Sequence, residues 1–119
     1  MMVELWTYRT FNRDVITDQL KGFHVEAQDG SIGKVDEATD EVGRSYIVVD
    51  TGPWIFGRKV VIPAGVIERI DWDEERVHVS LTKDQIKNSP EFDPDRGYDN
   101  DEYHARLGSY YDTEMRRAS

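Results

Sequence analysis

The sequence predicts a mainly β fold: a small antiparallel barrel of about six strands followed by a short helical tail. Two observations carry this. Between Gly22 and Leu81 short apolar runs recur, separated by turn residues, and several alternate with period two. After Thr82 the pattern changes to helix caps and helical spacing.

The first strand is FHVEAQ at 23–28, where Phe23, Val25 and Ala27 face one way and His24, Glu26 and Gln28 the other. Asp29-Gly30 then predicts a two-residue type I′ hairpin turn, which needs positive φ at both central positions. SIGKVDEA returns, with Gly33 shifting the alternation so that Ile32 and Val35 both point inward around a bulge. SYIVVDT at 45–51 is apolar on both faces, hence covered on both sides. RKVVIP at 58–63 ends at Pro63, which has no N–H to give a ladder. VIERIDW and RVHVSL flank the turn Asp73-Glu74-Glu75.

Thr82-Lys83-Asp84-Gln85 is a capping box, so a short helix runs to about Asn88 and stops before Pro90. EFDPDRGYDND reads as an acidic loop. From Asp99, with Glu102 three residues on, a second helix places Tyr103, Leu107 and Tyr110 or Tyr111 on one face, and Gly108 weakens its last turn. The expected organisation is an N-terminal extension at 1–21 lying along the barrel, the barrel at 22–82, and a helical, acidic tail at 83–119.

Composition removes several kinds of chemistry. The chain of 119 residues has no cysteine, so disulfides, thiol nucleophiles and thiolate metal sites are excluded. The apolar stretch VVIPAGVI is too short to span a bilayer, and MMVELWTYRTFNRD lacks the basic and apolar regions of a secretion signal, so direct membrane insertion is not expected and the location read is cytoplasmic. With 24 acidic against 15 basic residues the formal charge is −9, which opposes phosphate backbones and suits a basic protein. The expected partner is therefore a protein, basic or a second copy of the chain, and not nucleic acid.

IVVDTG at 47–52 resembles the turn that carries a catalytic aspartate in aspartic proteases. That chemistry needs two such turns sharing one proton, hence a homodimer here, and Pro53 stands where a small hydrogen-bonding residue belongs. The alternative is that Asp50 and Thr51 end a strand, with Asp50 accepting backbone hydrogen bonds in the turn. His24, His78 and His104 show no metal or triad spacing and are expected at the surface. In the acidic loop Asp93, Asp95, Asp99 and Asp101 lack the glycine and the bidentate glutamate of a calcium loop. No cofactor, metal or catalytic residue is therefore assigned.

The segments GFHVEAQDGSIGKVDEA, YIVVDTGPWIFGRKVVIPAGVI and LTKDQIKNSPEFD, in that order, resemble the PRC-barrel family, which occurs in the cytoplasmic part of the photosynthetic reaction centre H subunit and at the end of the ribosome maturation factor. The resemblance covers 15–82 as barrel, with a tail like that of small stand-alone bacterial members. It implies a non-enzymatic protein-binding or assembly module. The other readings are a small hydrolase centred on Asp50 and a structural subunit that dimerises. The candidate contact residues are Trp54, Ile55 and Phe56, three large apolar side chains in a loop, together with Tyr110 and Tyr111.

Overall fold

The computed structural model describes residues 5, 6, 8, 17–40, 44–52, 58–90 and 101–117. A single helical turn α1 (Thr17–Leu20) leads into β1 (His24–Ala27) and β2 (Gly30–Ala38), then β3 (Tyr46–Asp50), β4 (Lys59–Pro63), a 3-10 turn at Ala64–Val66, β5 (Ile67–Asp71) and β6 (Arg76–Val79). Two helices follow, α2 (Lys83–Lys87) and α3 (Asp101–Arg117).

The six strands form one sheet in the order β4-β3-β2-β1-β6-β5. Two features differ from the expected antiparallel barrel. The ladder does not close on itself, leaving β4 and β5 at its ends, and β1 pairs with β6 in parallel, Val25 opposite Val77. The connection from β1 to β6 runs through four intervening strands, so no local turn signal could have announced the pairing.

Locally the strands behave as their patterns predict. Tyr46, Ile47, Val48 and Val49 are all buried, as a doubly covered strand requires. The β1–β2 register slips between Val25 and Glu26, leaving Ile32 as the extra residue, and both Ile32 and Val35 are buried. The hairpin turn, however, lies one residue earlier than expected: Ala27 pairs with Gly30, so Gln28 and Asp29 are the loop residues. Neither has positive φ, which excludes type I′, whereas Gly30 itself has φ +146°. Asp29 accepts instead from the Lys83 backbone N–H (2.8 Å), tying the turn to the start of α2.

The core sits inside the curled sheet. Val25, Ile47, Ile62, Ile67 and Val77 are 0% exposed, each contributing about 1.5–3 kcal/mol relative to exposure. Leu20, Leu81, Ile86 and Leu107 bury equally well from outside the sheet. The capping box of α2 is formed, with Thr82 Oγ1 accepting from Gln85 N and Gln85 Oε1 accepting from Thr82 N. Near the amino terminus, Leu5 and Trp6 accept backbone hydrogen bonds from Gly65 (2.7 Å) and Ser45 (2.9 Å).

That segment explains two departures from expectation. Helix α3 continues through Gly108, where a β-carbon would come 3.3 Å from Trp6 Nε1, so the glycine makes room for the indole. His104, expected on an exposed helix face, is buried, stacked on Trp6 (4.7 Å between centroids) and edge-on to Tyr46 (5.3 Å). Tyr103 of α3 adds a third ring, edge-on at 6.4 Å, but no spacing within α3 reveals the burial, since Trp6 and Tyr46 come from elsewhere in the chain.

Candidate functional site

At one end of the sheet β3 and β4 are joined by the connection that holds the candidate contact residues. Thr51 is buried, and its hydroxyl donates to the Arg58 carbonyl (2.5 Å), which fastens the base of the connection. Asp50 is exposed, and its Oδ1 accepts from the Gly52 N–H (3.0 Å). Its cross-strand neighbours are Lys34 and Lys59, with Lys59 paired to Asp36 (2.9 Å). A protease aspartate must share a proton with an opposed carboxylate. Asp50 instead faces lysines, and its Oδ1 takes the turn amide, as the strand-end reading expects.

Arg58 then leaves the sheet for α2. Its guanidinium donates to the carbonyls of Lys87 (2.7 Å) and Ser89 (3.0 Å), placing a cation on the negative end of the helix. Ser89 is buried and gives its own hydroxyl proton to Ile86 (2.7 Å). Helix α3 closes the group. The Tyr110 hydroxyl donates to the Gln85 carbonyl (2.5 Å), and Gln85 Nε2 donates to Glu114 (3.0 Å). Tyr111 is fully buried, its ring edge-on to Tyr110 at 5.3 Å.

Two buried polar atoms in this group have no hydrogen-bond partner among the described residues, Arg58 Nε and the Tyr111 hydroxyl. The Ser89 hydroxyl lies close enough to act on Tyr111, but its proton is committed to Ile86. Burial dominates, and it pushes the Tyr111 phenol well above its usual range against the smaller opposing effects of Ser89 and Arg58. Tyr8, whose hydroxyl donates to the Thr39 carbonyl (2.8 Å), is raised for the same reason, with Asp40 adding to it.

Trp54, Ile55 and Phe56 lie outside the described residues. Of the other candidates, Tyr110 is half-buried and Tyr111 wholly so. Sequence reasoning misses Arg58, placing it only at the start of a strand; an arginine next to a turn is the available signal, but the carbonyls it meets are 29 and 31 residues away.

Elsewhere, His24 and His78 sit on the outer face of the sheet, and Asp101 pairs with Arg44 (2.9 Å). Asp93, Asp95 and Asp99 are outside the described residues. Among the described residues no three His, Asp or Glu side chains are grouped as metal ligands would be.

No family model matches the chain. An uncharacterized protein of Deinococcus radiodurans is 40% identical over 70 residues, which are 56% of this chain and 25% of that one; the chain thus spans about a quarter of the relative it matches. A solved structure named as a 16S ribosomal RNA processing protein, RimM, of Pseudomonas aeruginosa superposes with a TM-score of 0.50, covering 59% of this chain and 45% of that one at 20% identity. The fold is PRC-barrel-like.

A PRC-barrel-like chain named for ribosomal RNA processing corrects the partner expectation of a protein alone, with nucleic acid excluded. The exclusion rested on a net charge summed over the whole chain, whereas a phosphate responds to charge within about a Debye length, some 8–10 Å. Asp73, Glu74 and Glu75 crowd one turn, so the acidic charge is not evenly spread along the chain. No described helix is long and apolar enough to cross a membrane.

Proposed function

We propose that this chain is a non-catalytic binding and assembly module of the PRC-barrel type that works in the cytoplasm by docking into an RNA–protein assembly. The observation that carries the reading is the fold shared with a protein named for 16S ribosomal RNA processing. The surroundings of Asp50 support its non-catalytic part: its cross-strand neighbours are lysines and its Oδ1 takes a turn amide, not the opposed carboxylate with which an aspartic-protease aspartate shares its proton.

The contact surface we assign to Trp54, Ile55 and Phe56 of the β3–β4 connection and to Tyr110 of α3. Arg58 and Thr51 would hold that connection in place, so contact area is presented on an anchored base.

The test is co-sedimentation of the tagged chain with ribosomal particles from its source cell, with and without nuclease. Co-migration of the unaltered chain, lost in Trp54→Ser/Phe56→Ser and kept in Asp50→Asn, is the expected result. A chain that stays at the top of the gradient under all conditions would overturn the reading.

A further inference from the structure

Leu5, Trp6 and Tyr8 lie outside every strand and helix, and all three are half-buried against the core. The Leu5 carbonyl accepts from the Gly65 N–H (2.7 Å) and the Trp6 carbonyl from the Ser45 N–H (2.9 Å), while the Tyr8 hydroxyl donates to the Thr39 carbonyl (2.8 Å). Main-chain hydrogen bonds thus hold the segment, and the Trp6 ring fills a pocket beside them. That division, backbone for affinity and a side-chain pocket for specificity, is how folded domains take up short peptides.

The surface that receives the segment is built from other parts of the chain. Ala64 N–H donates to the Ser45 carbonyl (3.0 Å) and Tyr46 pairs with Pro63, which fixes the two donors beside each other. Tyr46 is buried in β3 and Leu107 in α3, so the strand and the helix that carry the pocket are both anchored in the core. On α3, His104 offers its ring face to the indole, with 4.7 Å between centroids and 23° between planes. Gly108, one turn on and on the same helix face, leaves the space. The three nearest atoms that a β-carbon there would meet, between 3.3 and 3.9 Å, all belong to Trp6 and Leu5. Glycine is a poor residue inside a helix, so Gly108 serves the indole and not the helix.

We propose that Ser45, Gly65, His104 and Gly108 form a peptide-recognition site that the chain fills in cis, and that its occupant in trans is the segment carrying Leu5, Trp6 and Tyr8 of a second copy. Site and segment are separate stretches of sequence, so every contact made within one chain can be remade between two. A tethered segment competes at an effective concentration on the order of millimolar, so the unaltered chain keeps its own site filled and exchange shows once either half is disabled. The inference is independent of the assembly reading and of the β3–β4 contact surface.

Two full-length variants disable one half each. Trp6→Ala empties the pocket, and Gly108→Leu fills it with a better helix former and expels the indole. Both should keep a cooperative thermal melt. In fluorescence anisotropy a labelled synthetic peptide MMVELWTYRT should bind Trp6→Ala at least about tenfold more tightly than it binds the unaltered chain, and should not bind Gly108→Leu. In sedimentation velocity an equimolar mixture of the two variants should contain a complex that neither forms alone, since one supplies the pocket and the other the released segment. The proposal falls if Trp6→Ala loses its cooperative melt, because the site then does not exist without the segment. It falls equally if the folded variant ignores the peptide, if it binds as well a peptide with alanine in place of the tryptophan, if Gly108→Leu binds the peptide as Trp6→Ala does, or if the mixture sediments as the sum of its components.

Discussion

Gly33 of β2 lies directly against the peptide that follows Asp50 at the end of β3. A β-carbon on Gly33 would come 2.9 Å from the Asp50 carbonyl carbon and 3.0 Å from Thr51 Cα, and the residue has φ +144°, which side-chain-bearing residues avoid. The obstacle is backbone, so no rotamer change relieves it. Gly33→Ala should therefore cost about 2–4 kcal/mol. Urea denaturation should show the lower midpoint, and a midpoint unchanged within error would mean that β2 and β3 are not so closely apposed.

Gly30 is strained for a different reason. Its φ is +146°, but an added β-carbon would meet only Lys83 Cδ at 3.5 Å, an ordinary contact with a flexible side chain. Only the backbone conformation penalises substitution here, so Gly30→Val should destabilise by about 1–2 kcal/mol, less than Gly33→Ala. Equal losses at the two sites would contradict the distinction.

The Tyr111 hydroxyl, which has no hydrogen-bond partner among the described residues, separates packing from hydrogen bonding at the α2–α3 junction. Removing a buried donor that has no acceptor removes a cost, so Tyr111→Phe should be neutral or mildly stabilising, whereas Tyr111→Ala should lose about 3–5 kcal/mol to the cavity. A Tyr111→Phe variant that melts well below the parent would show that the hydroxyl has a partner.

The same residue makes stability depend on alkaline pH. The Tyr111 phenol is raised above its ordinary value of 10.0 in the fold, chiefly by burial, and Tyr8 likewise. In the unfolded chain each ionises near its ordinary value, so above it the unfolded state holds fewer protons than the native state, and stability falls as pH rises. The contribution is complete below pH 10 and is lost from there upward. Denaturation midpoints at pH 8 and above pH 10 should differ more for the parent than for Tyr111→Phe; identical pH dependence would remove Tyr111 as a source.

Deleting everything after Asn88 removes Leu107 and Tyr111, both 0% exposed, and uncovers Ile86. Lost burial of this size is worth several times about 2 kcal/mol, a large part of what a domain of this length has. The truncated chain should lose cooperative unfolding or melt far lower. An intact, sharp transition would show that residues 22–82 hold together alone.

What the sequence by itself determined is the set of strands, the bulge at Ile32 and Gly33, and the capping box at Thr82 and Gln85. Each is a matter of φ preference, period or a hydrogen bond within a few residues, so neighbouring residues are enough to specify it. The tertiary structure decided the parallel pairing of Val25 with Val77, the burial of His104 between Trp6 and Tyr46, and the reach of Arg58 to the carbonyls of α2. It also decided which charges share a face: a net charge of −9 is additive along the chain, but Lys34, His24 and Arg76 become neighbours only when β2, β1 and β6 are laid side by side. Those contacts join residues tens of positions apart, and what selects them is the burial of one common core, to which every strand and α3 must present its apolar side at once.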